Sequence, residues 1–331
     1  MDRRLQRGAK IIIDQWLEMK EGESLLIVSS ENHLGEVNAL KKIAKQCNAT
    51  VAIMMFPVQN GQVGHYFDEH EMAFDEYDAV LGATTHSLVT TKAVKRAVAR
   101  GTRFLSLPLS TNNGKSILEF EFLKMNPRES KAMADQLLPT LKTGKQIRVT
   151  TALGTDISFS MEGRTPKFFS GVASEVAGYA SSSFEIFIPI REDQTEGIGL
   201  VDASLGYLGV PKAPIRIALK GGRITEIEAS KDGQILRDYV ESFEDEGMYV
   251  AGEFGIGLNR YAKCDGNCYI EDESAYGTFH IGFGRNIAFG GTHQAKGHFD
   301  LVFHKPNIYV DGKLIMREGE ILPSFEKRLV I

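Results

Sequence analysis

The pattern of apolar residues changes character partway along the chain, and that change limits the possible folds more than any other feature of the sequence. Up to about residue 110, short apolar runs alternate with stretches of helical period. Ser24–Ser30, Thr50–Phe56, Asp78–Thr85 and Arg103–Leu107 have strand length. Between them, Leu34–Cys47 places apolar residues at 37, 40, 44 and 47. Thr90–Arg100 puts Ala93, Val94, Ala97 and Val98 on one face ahead of Gly101. Buried strands separated by single helices are the signature of a parallel sheet with crossover helices. Asn126 and Pro127 then supply an N-cap and a first-turn proline for a helix expected to run to about Leu141 and stop at Gly144. Beyond it, Lys145–Ala152 and Asp156–Met161 alternate apolar and polar residues around Leu153-Gly154-Thr155, the mark of a hairpin. Glu185–Ile190, Gly197–Val201, Ile215–Leu219, Ile224–Ala229 and Leu301–Phe303 are further strand-like runs, and Gln234–Phe243 is the clearest helix. The expected fold is an α/β domain over residues 1–144, a parallel sheet with crossover helices, followed by a β-rich α+β domain over residues 145–331.

Charge excludes two classes of partner. The 38 basic and 43 acidic residues leave a net charge of −5, without the basic excess of a chain that binds nucleic acid through phosphates. The same balance argues against polybasic attachment to a membrane. No run approaches the length of a membrane span, and no signal-peptide core follows the basic start, because Ile11–Ile13 gives way to Asp14. Three cysteines, Cys47, Cys264 and Cys268, are too few for a disulfide framework. The cytoplasm is the expected location.

Several short motifs begin and fail. Asn113-Gly114-Lys115-Ser116 ends like a phosphate-binding loop, but the position for its opening glycine is Leu109. His70-Glu71-Met72-Ala73-Phe74 starts like a zinc-protease helix and carries phenylalanine where the second ligand belongs. Gly282-Phe283-Gly284 lacks the third glycine of a dinucleotide fingerprint. Cys264 and Cys268 are four apart with no second pair, so a loop turn competes with half a zinc site.

The chemistry-bearing residues lie late in the chain. His280, His293, His298 and His304 fall within the last 52 residues, three of them close to glycine-rich segments expected to be loops, Gly277–Gly284 and Gly290–Asp300. His298 and Asp300 are two apart, which on a strand points both at one face. Glu253 sits in Gly252-Glu253-Phe254-Gly255-Ile256-Gly257, expected as an open loop. Glu185 sits in the apolar run Phe184–Pro189, where an ionised carboxylate needs a partner and a metal is one of the few adequate ones. Each has an ordinary alternative: a core histidine, a sheet-edge glutamate, a salt-bridged aspartate. Oxygen and nitrogen ligands without thiolates suit Zn²⁺, Co²⁺, Mn²⁺ or Fe²⁺.

Gly252–Asn259, Glu271-Asp272-Glu273, Gly277–Gly284 and His298-Phe299-Asp300 together resemble the metal-binding half of the M29 metallopeptidases, the aminopeptidase T and aminopeptidase S group. Looser similarity reaches back through Thr151–Arg164 and Glu185–Asp202. The resemblance implies a divalent metal, two ions side by side being possible, and a homodimer. Its ligands carry over to Glu185, Glu253, His280, His298 and Asp300. The chain departs from the family at the catalytic tyrosine seven residues after the first histidine, here Ile287. It departs again at the lysine of the acidic signature, here Ser274, and in a shorter segment between His280 and His298.

The resemblance implies first a metal-dependent hydrolase of the aminopeptidase type, using Zn²⁺, Co²⁺ or Mn²⁺ on a small molecule or short peptide. Glu253 or His293 would be its base, and Arg285 would stabilise the oxyanion or bind a substrate carboxylate. The alternative is a mononuclear Fe²⁺ dioxygenase similar to the 2,5-dihydroxypyridine 5,6-dioxygenases, which share the scaffold. His280, His298 and Asp300, or a set including Glu253, would then supply two imidazoles and one carboxylate. A non-catalytic metal-binding protein is the third reading.

Overall fold

The computed structural model describes residues 3–57, 63–173 and 179–323. It divides into two compact units, Met1–Pro127 with Phe169–Phe184, and Arg128–Phe168 with Glu185–Ile331. The helix Pro127–Thr143, which the sequence pattern groups with the first half, lies in the second unit apart from its first residue.

The first unit is an α/β layer. Its strands are β1 (Ser24–Ser30), β2 (Thr50–Phe56), β3 (Ala79–Ala83), β4 (Arg103–Ser106) and the later β8 (Tyr179–Ser181), in the spatial order β2-β1-β3-β4-β8 and all parallel. Helices α1 (Arg3–Lys10), α2 (Leu34–Gln46), α3 (Gly64–Glu69) and α4 (Lys92–Ala99) belong to the same unit. Leu25–Val28 is buried throughout, as continuous apolar strands covered on both faces must be. Leu26, Val28, Phe67, Phe74, Val80, Leu88 and Phe104 form one core cluster with the buried alanines of α4.

The opening helix is one of the elements that periodicity missed. α1 runs on into one wider turn, Ile11–Trp16, whose Leu17 N–H donates to the Ile12 carbonyl at 2.8 Å. The isoleucines that end any resemblance to a signal peptide are here core residues: Ile12, Ile13 and Trp16 are fully buried.

The second unit is a β-sandwich with, among the described residues, three α-helices: α5 (Pro127–Thr143), α6 (Lys231–Glu241) and α7 (Tyr269–Ser274). One sheet joins β5 (Gln146–Thr150), β6 (Asp156–Ser160), β10 (Glu196–Val201), β11 (Ile215–Lys220), β12 (Arg223–Ile227), β16 (Asn307–Val310), β17 (Lys313–Arg317) and β18 (Glu320–Ile321), ordered β12-β11-β10-β6-β5-β16-β17-β18. The expected hairpin around Gly154 is β5–β6. The other sheet holds β7 (Lys167–Ser170), β9 (Phe184–Pro189), β13 (Ala251–Gly257), β14 (Thr278–Gly284) and β15 (His298–His304), ordered β15-β14-β13-β9-β7. Phe159 of the first sheet meets Phe254 of the second at 5.2 Å between ring centroids, and Phe279 stacks on Phe303 at 4.6 Å. Among the described residues no helix is long and apolar enough to cross a membrane.

Gly8 gives a sharp test of the missed helix. A β-carbon there would stand 2.1 Å from the Leu118 carbonyl oxygen. In a free helix Gly→Ala stabilises by about 1 kcal/mol. Here Gly8→Ala should instead destabilise by about 1–3 kcal/mol, the usual cost of overpacking. Urea denaturation measures the sign, and a stabilised variant would mean that α1 does not pack on Leu118.

Candidate metal centre

Two of the three segments expected as glycine-rich loops are strands, which corrects the sequence reading and explains the site, whereas the third is a loop from Gly290 to Gly297 and enters β15 at His298. Gly252–Gly257 lies in β13 and Thr278–Gly284 forms β14, between β9 and β15 in one antiparallel sheet. Register then decides which residues share a face. Glu185 pairs with Gly257 and Phe187 with Gly255. Gly255 pairs with His280 and Glu253 with Gly282. Gly282 pairs with Asp300 and Gly284 with His298. Paired residues point the same way, and side chains alternate along each strand. Glu185, Glu253, His280, His298 and Asp300 therefore all rise from one face, while Phe254, Ile256, Phe279, Ile281, Phe283 and Leu301 occupy the other.

Glycine makes room for them. A β-carbon on Gly255 would lie 1.9 Å from His280 Nε2, so the imidazole rests directly on that glycine. One on Gly282 would lie 2.6 Å from His298 Cε1 and 2.8 Å from Glu253 Cβ. One on Gly257 would strike the Ala275 carbonyl at 2.2 Å, where the chain leaves α7.

The five groups form two overlapping triplets that could hold a cation, Glu185, Glu253 and His280, and Glu253, His298 and Asp300, with Glu253 common to both. His280 Nε2 is 3.0 Å from Glu185 Oε2. His298 Nε2 is 3.2 Å from Glu253 Oε2 and 3.4 Å from Asp300 Oδ1. The His298 ring is fixed from behind by Nδ1, which donates to the Arg285 carbonyl at 3.1 Å and leaves Nε2 facing the carboxylates. The Nδ1 of His280 is buried without a hydrogen-bond partner.

Burial and charge set the protonation. Burial lowers the basicity of both imidazoles, but the carboxylates overcome it. Glu185 and its neighbours raise His280 to about 9, and Asp300 with Glu253 raises His298 to about 10. Burial lifts Glu253 above the usual carboxylate range. Burial also pushes Asp300 up, yet the His298 and His280 charges hold it below its ordinary value. An excess of buried carboxylate over imidazole is unfavourable unless a cation or protons compensate it. The donor set, the glycine cradle and the unpartnered His280 nitrogen all fit a divalent metal.

Glu273 has a part in the site that its position in the sequence does not reveal. It stands on α7, buried, and its carboxyl is pushed well up by burial and by Glu185, Asp300 and Glu253. In the neutral form it hydrogen-bonds Asp300. The available signal is the run of three consecutive acids, Glu271-Asp272-Glu273, all of them buried in a segment with buried apolar neighbours on either side. Asp272 has a different task. Its carboxylate accepts from Ser204 Oγ at 2.6 Å and from the Gly266 N–H at 3.1 Å, which fastens the Cys264–Cys268 turn. Both cysteines are free thiols, outside either metal-capable triplet.

His293 and Arg285 are placed differently from the five. The His293 ring nitrogen Nε2 bonds the Gly247 carbonyl at 2.9 Å, away from either triplet. Arg285 contributes its backbone, the carbonyl to His298 and the N–H to Gly297 at 2.9 Å.

Comparison with known proteins separates the readings that this geometry leaves open. The family model described as 2,5-dihydroxypyridine 5,6-dioxygenase (NicX) matches residues 15–323. The curated 2,5-dihydroxypyridine 5,6-dioxygenase of Pseudomonas putida is 27% identical over 203 residues, 57% of this chain and 57% of that relative's length. Among solved structures, the 2,5-dihydroxypyridine dioxygenase of Pseudomonas putida KT2440 superposes with a TM-score of 0.80 at 21% identity, covering 96% of both chains. AmpT from Thermus thermophilus superposes at 0.67 with 16% identity, covering 97% of this chain and 99% of its own. At those identities both structures show a shared fold. The M29 resemblance thus stands as a likeness of scaffold, whereas the expectation of an aminopeptidase-type hydrolase is overturned by the family match. The physical reason is that the metal-capable face is common ground for both chemistries and cannot tell them apart. The positions that could, Ile287 and Ser274, already lacked the peptidase groups. Aligned over nearly all of its length, the chain belongs to the 2,5-dihydroxypyridine 5,6-dioxygenase (NicX) family.

Proposed function

We propose that the chain is an Fe²⁺-dependent dioxygenase that opens a dihydroxylated nitrogen-containing aromatic ring of the 2,5-dihydroxypyridine type. The observation that carries this reading is two imidazoles and an aspartate rising from one sheet face in a chain of this family. His280, His298 and Asp300 would hold the ion, the ligand set of non-haem iron oxygenases, with positions left open for substrate and oxygen. Bound ferrous iron supplies the one-electron chemistry that dioxygen needs before it can react with an electron-rich ring.

The protein's own groups divide the remaining work. The Arg285 carbonyl keeps the proton of His298 on Nδ1, so Nε2 offers its lone pair. Neutral Glu273 hydrogen-bonds Asp300 and holds that carboxylate in one orientation. Glu253 is buried with a raised proton affinity, which supports a role in taking a proton from a ring hydroxyl at Oε2. Glu185 balances the His280 imidazole.

Oxygen uptake tests the reading. Protein reconstituted with Fe²⁺ should consume dioxygen in step with 2,5-dihydroxypyridine, and the His298→Ala/Asp300→Ala double variant should lose both bound iron and uptake. Iron bound at wild-type level in that variant would refute the ligand assignment, and iron-loaded wild type that leaves dihydroxylated pyridines intact would refute the activity.

The glycine cradle gives an independent check. Gly255→Ala should displace His280 and weaken metal binding by about 10–100-fold, the scale of losses when ligand support is removed, with little change in the circular dichroism spectrum. Unchanged metal affinity would mean that His280 is not a ligand.

Acidity supplies a third. With His280 and His298 protonated up to about 9 and about 10 in the metal-free cluster, each ligating imidazole must release a proton at neutral pH. Metal affinity should therefore rise between about pH 6 and about pH 8, approaching about two log units per pH unit. Chelator competition at several pH values reads this slope, and a flat profile would remove both imidazoles from the ligand set.

A further inference from the structure

The first unit holds a crevice that the metal chemistry leaves unused. In the order β2-β1-β3-β4-β8 the chain leaves β1 on one side for β2 and continues on the other side for β3. Loops leaving two parallel strands at such a reversal diverge, and ligands of open α/β sheets bind in the opening at the strands' carboxyl ends. Here that opening measures about 260 Å³. Asn32, His33 and Glu36 line it from beyond β1, Thr85 from beyond β3, and Lys115 and Ser116 from the segment after β4. Lys115 and Ser116 belong to the aborted phosphate-loop motif, which fails as a loop of that type yet delivers its lysine and hydroxyl to this wall.

The hydrogen bonds decide where the His33 proton sits. Ser30 Oγ donates to Asn32 Oδ1 at 2.5 Å, which orients the amide so that Asn32 Nδ2 donates to His33 Nε2 at 3.2 Å. Thr85 Oγ1 lies 3.1 Å from the same nitrogen. A neutral ring accepting at Nε2 carries its hydrogen on Nδ1. His33 is only 8% exposed, and burial keeps it less basic than an ordinary histidine although Glu36 acts the other way. No protein acceptor engages His33 Nδ1 among the described residues. That hydrogen is left for solvent or for a ligand oxygen.

Two further donors face the same space. Ser116 Oγ accepts from the Leu118 N–H at 3.3 Å and keeps its own hydrogen to give. Lys115 is exposed and forms no ion pair among the described residues. Against these stands the carboxylate of Glu36, which can only accept. A bare anion would be repelled there, whereas an anion carrying a hydroxyl can donate to it.

We infer that this crevice binds a small hydroxylated oxyanion, its phosphate or carboxylate oxygens taken by Lys115, Ser116 and the His33 Nδ1 hydrogen, and its hydroxyl given to Glu36.

Isothermal titration of the full chain with glycerol 3-phosphate and with glycerate tests this. One probe should bind with 1:1 stoichiometry, and which one it is identifies the oxyanion. Binding should weaken at least tenfold in Lys115→Ala, an exposed substitution whose folding a thermal melt verifies. It should persist in wild-type protein stripped of metal by a chelator and dialysed. Glu36→Gln should erase the preference for glycerol 3-phosphate over inorganic phosphate, or for glycerate over acetate. Failure of both probes to bind, indifference to Lys115→Ala, or loss of binding on metal removal would each overturn the inference. The metal-stripped arm involves no dioxygenase chemistry, so it stands or falls separately from the reading of the metal face.

Discussion

Side-chain alternation along three adjacent strands governs the second unit. On β13, β14 and β15, every second residue is a phenylalanine, isoleucine or leucine that packs inward, and the ligand candidates and their glycines stand at the positions between. Phe254, Phe279 and Phe303 interlock with the facing sheet through Phe159. A slip of one residue would carry the carboxylates into that apolar layer and the rings onto the ligand face, so burial of the aromatics fixes where the ligands stand. The site thus takes its geometry from the core and needs no support of its own to set the register. Strand-borne ligands of this kind exist before the metal arrives, unlike those of small domains that fold only on binding it.

Electrostatics adds the second constraint. Placing Glu185, Glu253, Glu273 and Asp300 near two imidazoles in a buried pocket is unfavourable while all four are ionised. The cluster relieves the repulsion by keeping Glu273 neutral and both histidines charged, as the directions of their proton affinities show. A divalent cation relieves it differently, by displacing the imidazole protons. The second arrangement is available because Gly255 and Gly282 leave the rings free to lie flat over the backbone rather than being propped away by side chains.

Much of this could be read from the residues, and the failures have definite causes. The parallel strands of the first unit were legible because a continuous apolar run of strand length, set between helical periods, can be buried on both faces only inside a sheet covered by helices. The pairing of His298 with Asp300 was legible from period two alone. Glycine content misled the reading of Gly252–Gly257 and Thr278–Gly284, since glycine usually marks loops. Here it alternates with phenylalanine and isoleucine, and that alternation, rather than the glycine count, carried the information. Helix α1 escaped because Arg3–Lys10 is strongly basic and its buried contact is made by Gly8, a residue without a side chain to reveal a packed face. Glu273 escaped because its role depends on α7 packing against β13, a contact in space that no local spacing encodes. The choice between hydrolase and dioxygenase was beyond the ligand pattern altogether, because both chemistries draw on the same face.

What distinguishes this site locally is the connection between the two histidines. The segment from Asn286 to His293 is short and rigidly held. Asn286 is fully buried, donates to the Gly252 carbonyl at 2.8 Å and to Glu192 at 3.0 Å, and accepts from the His293 N–H at 2.9 Å. Glu192 in turn accepts from the Thr292 N–H at 2.7 Å and pairs with Arg164 at 2.5 Å. Gly291 is obligatory there, since a β-carbon would fall 2.1 Å from the Asn286 amide. The turn so fixed presents Phe289 edge-on to the His298 ring, with centroids 5.4 Å apart, and Phe289 also meets Phe187 at 5.3 Å. Ile287 begins the same turn, at the position where the peptidase resemblance calls for tyrosine. An apolar side chain there cannot donate to a developing oxyanion, which acyl transfer requires. The same short connection thus puts an apolar side chain where the peptidase resemblance calls for a hydroxyl, in a turn held by Asn286.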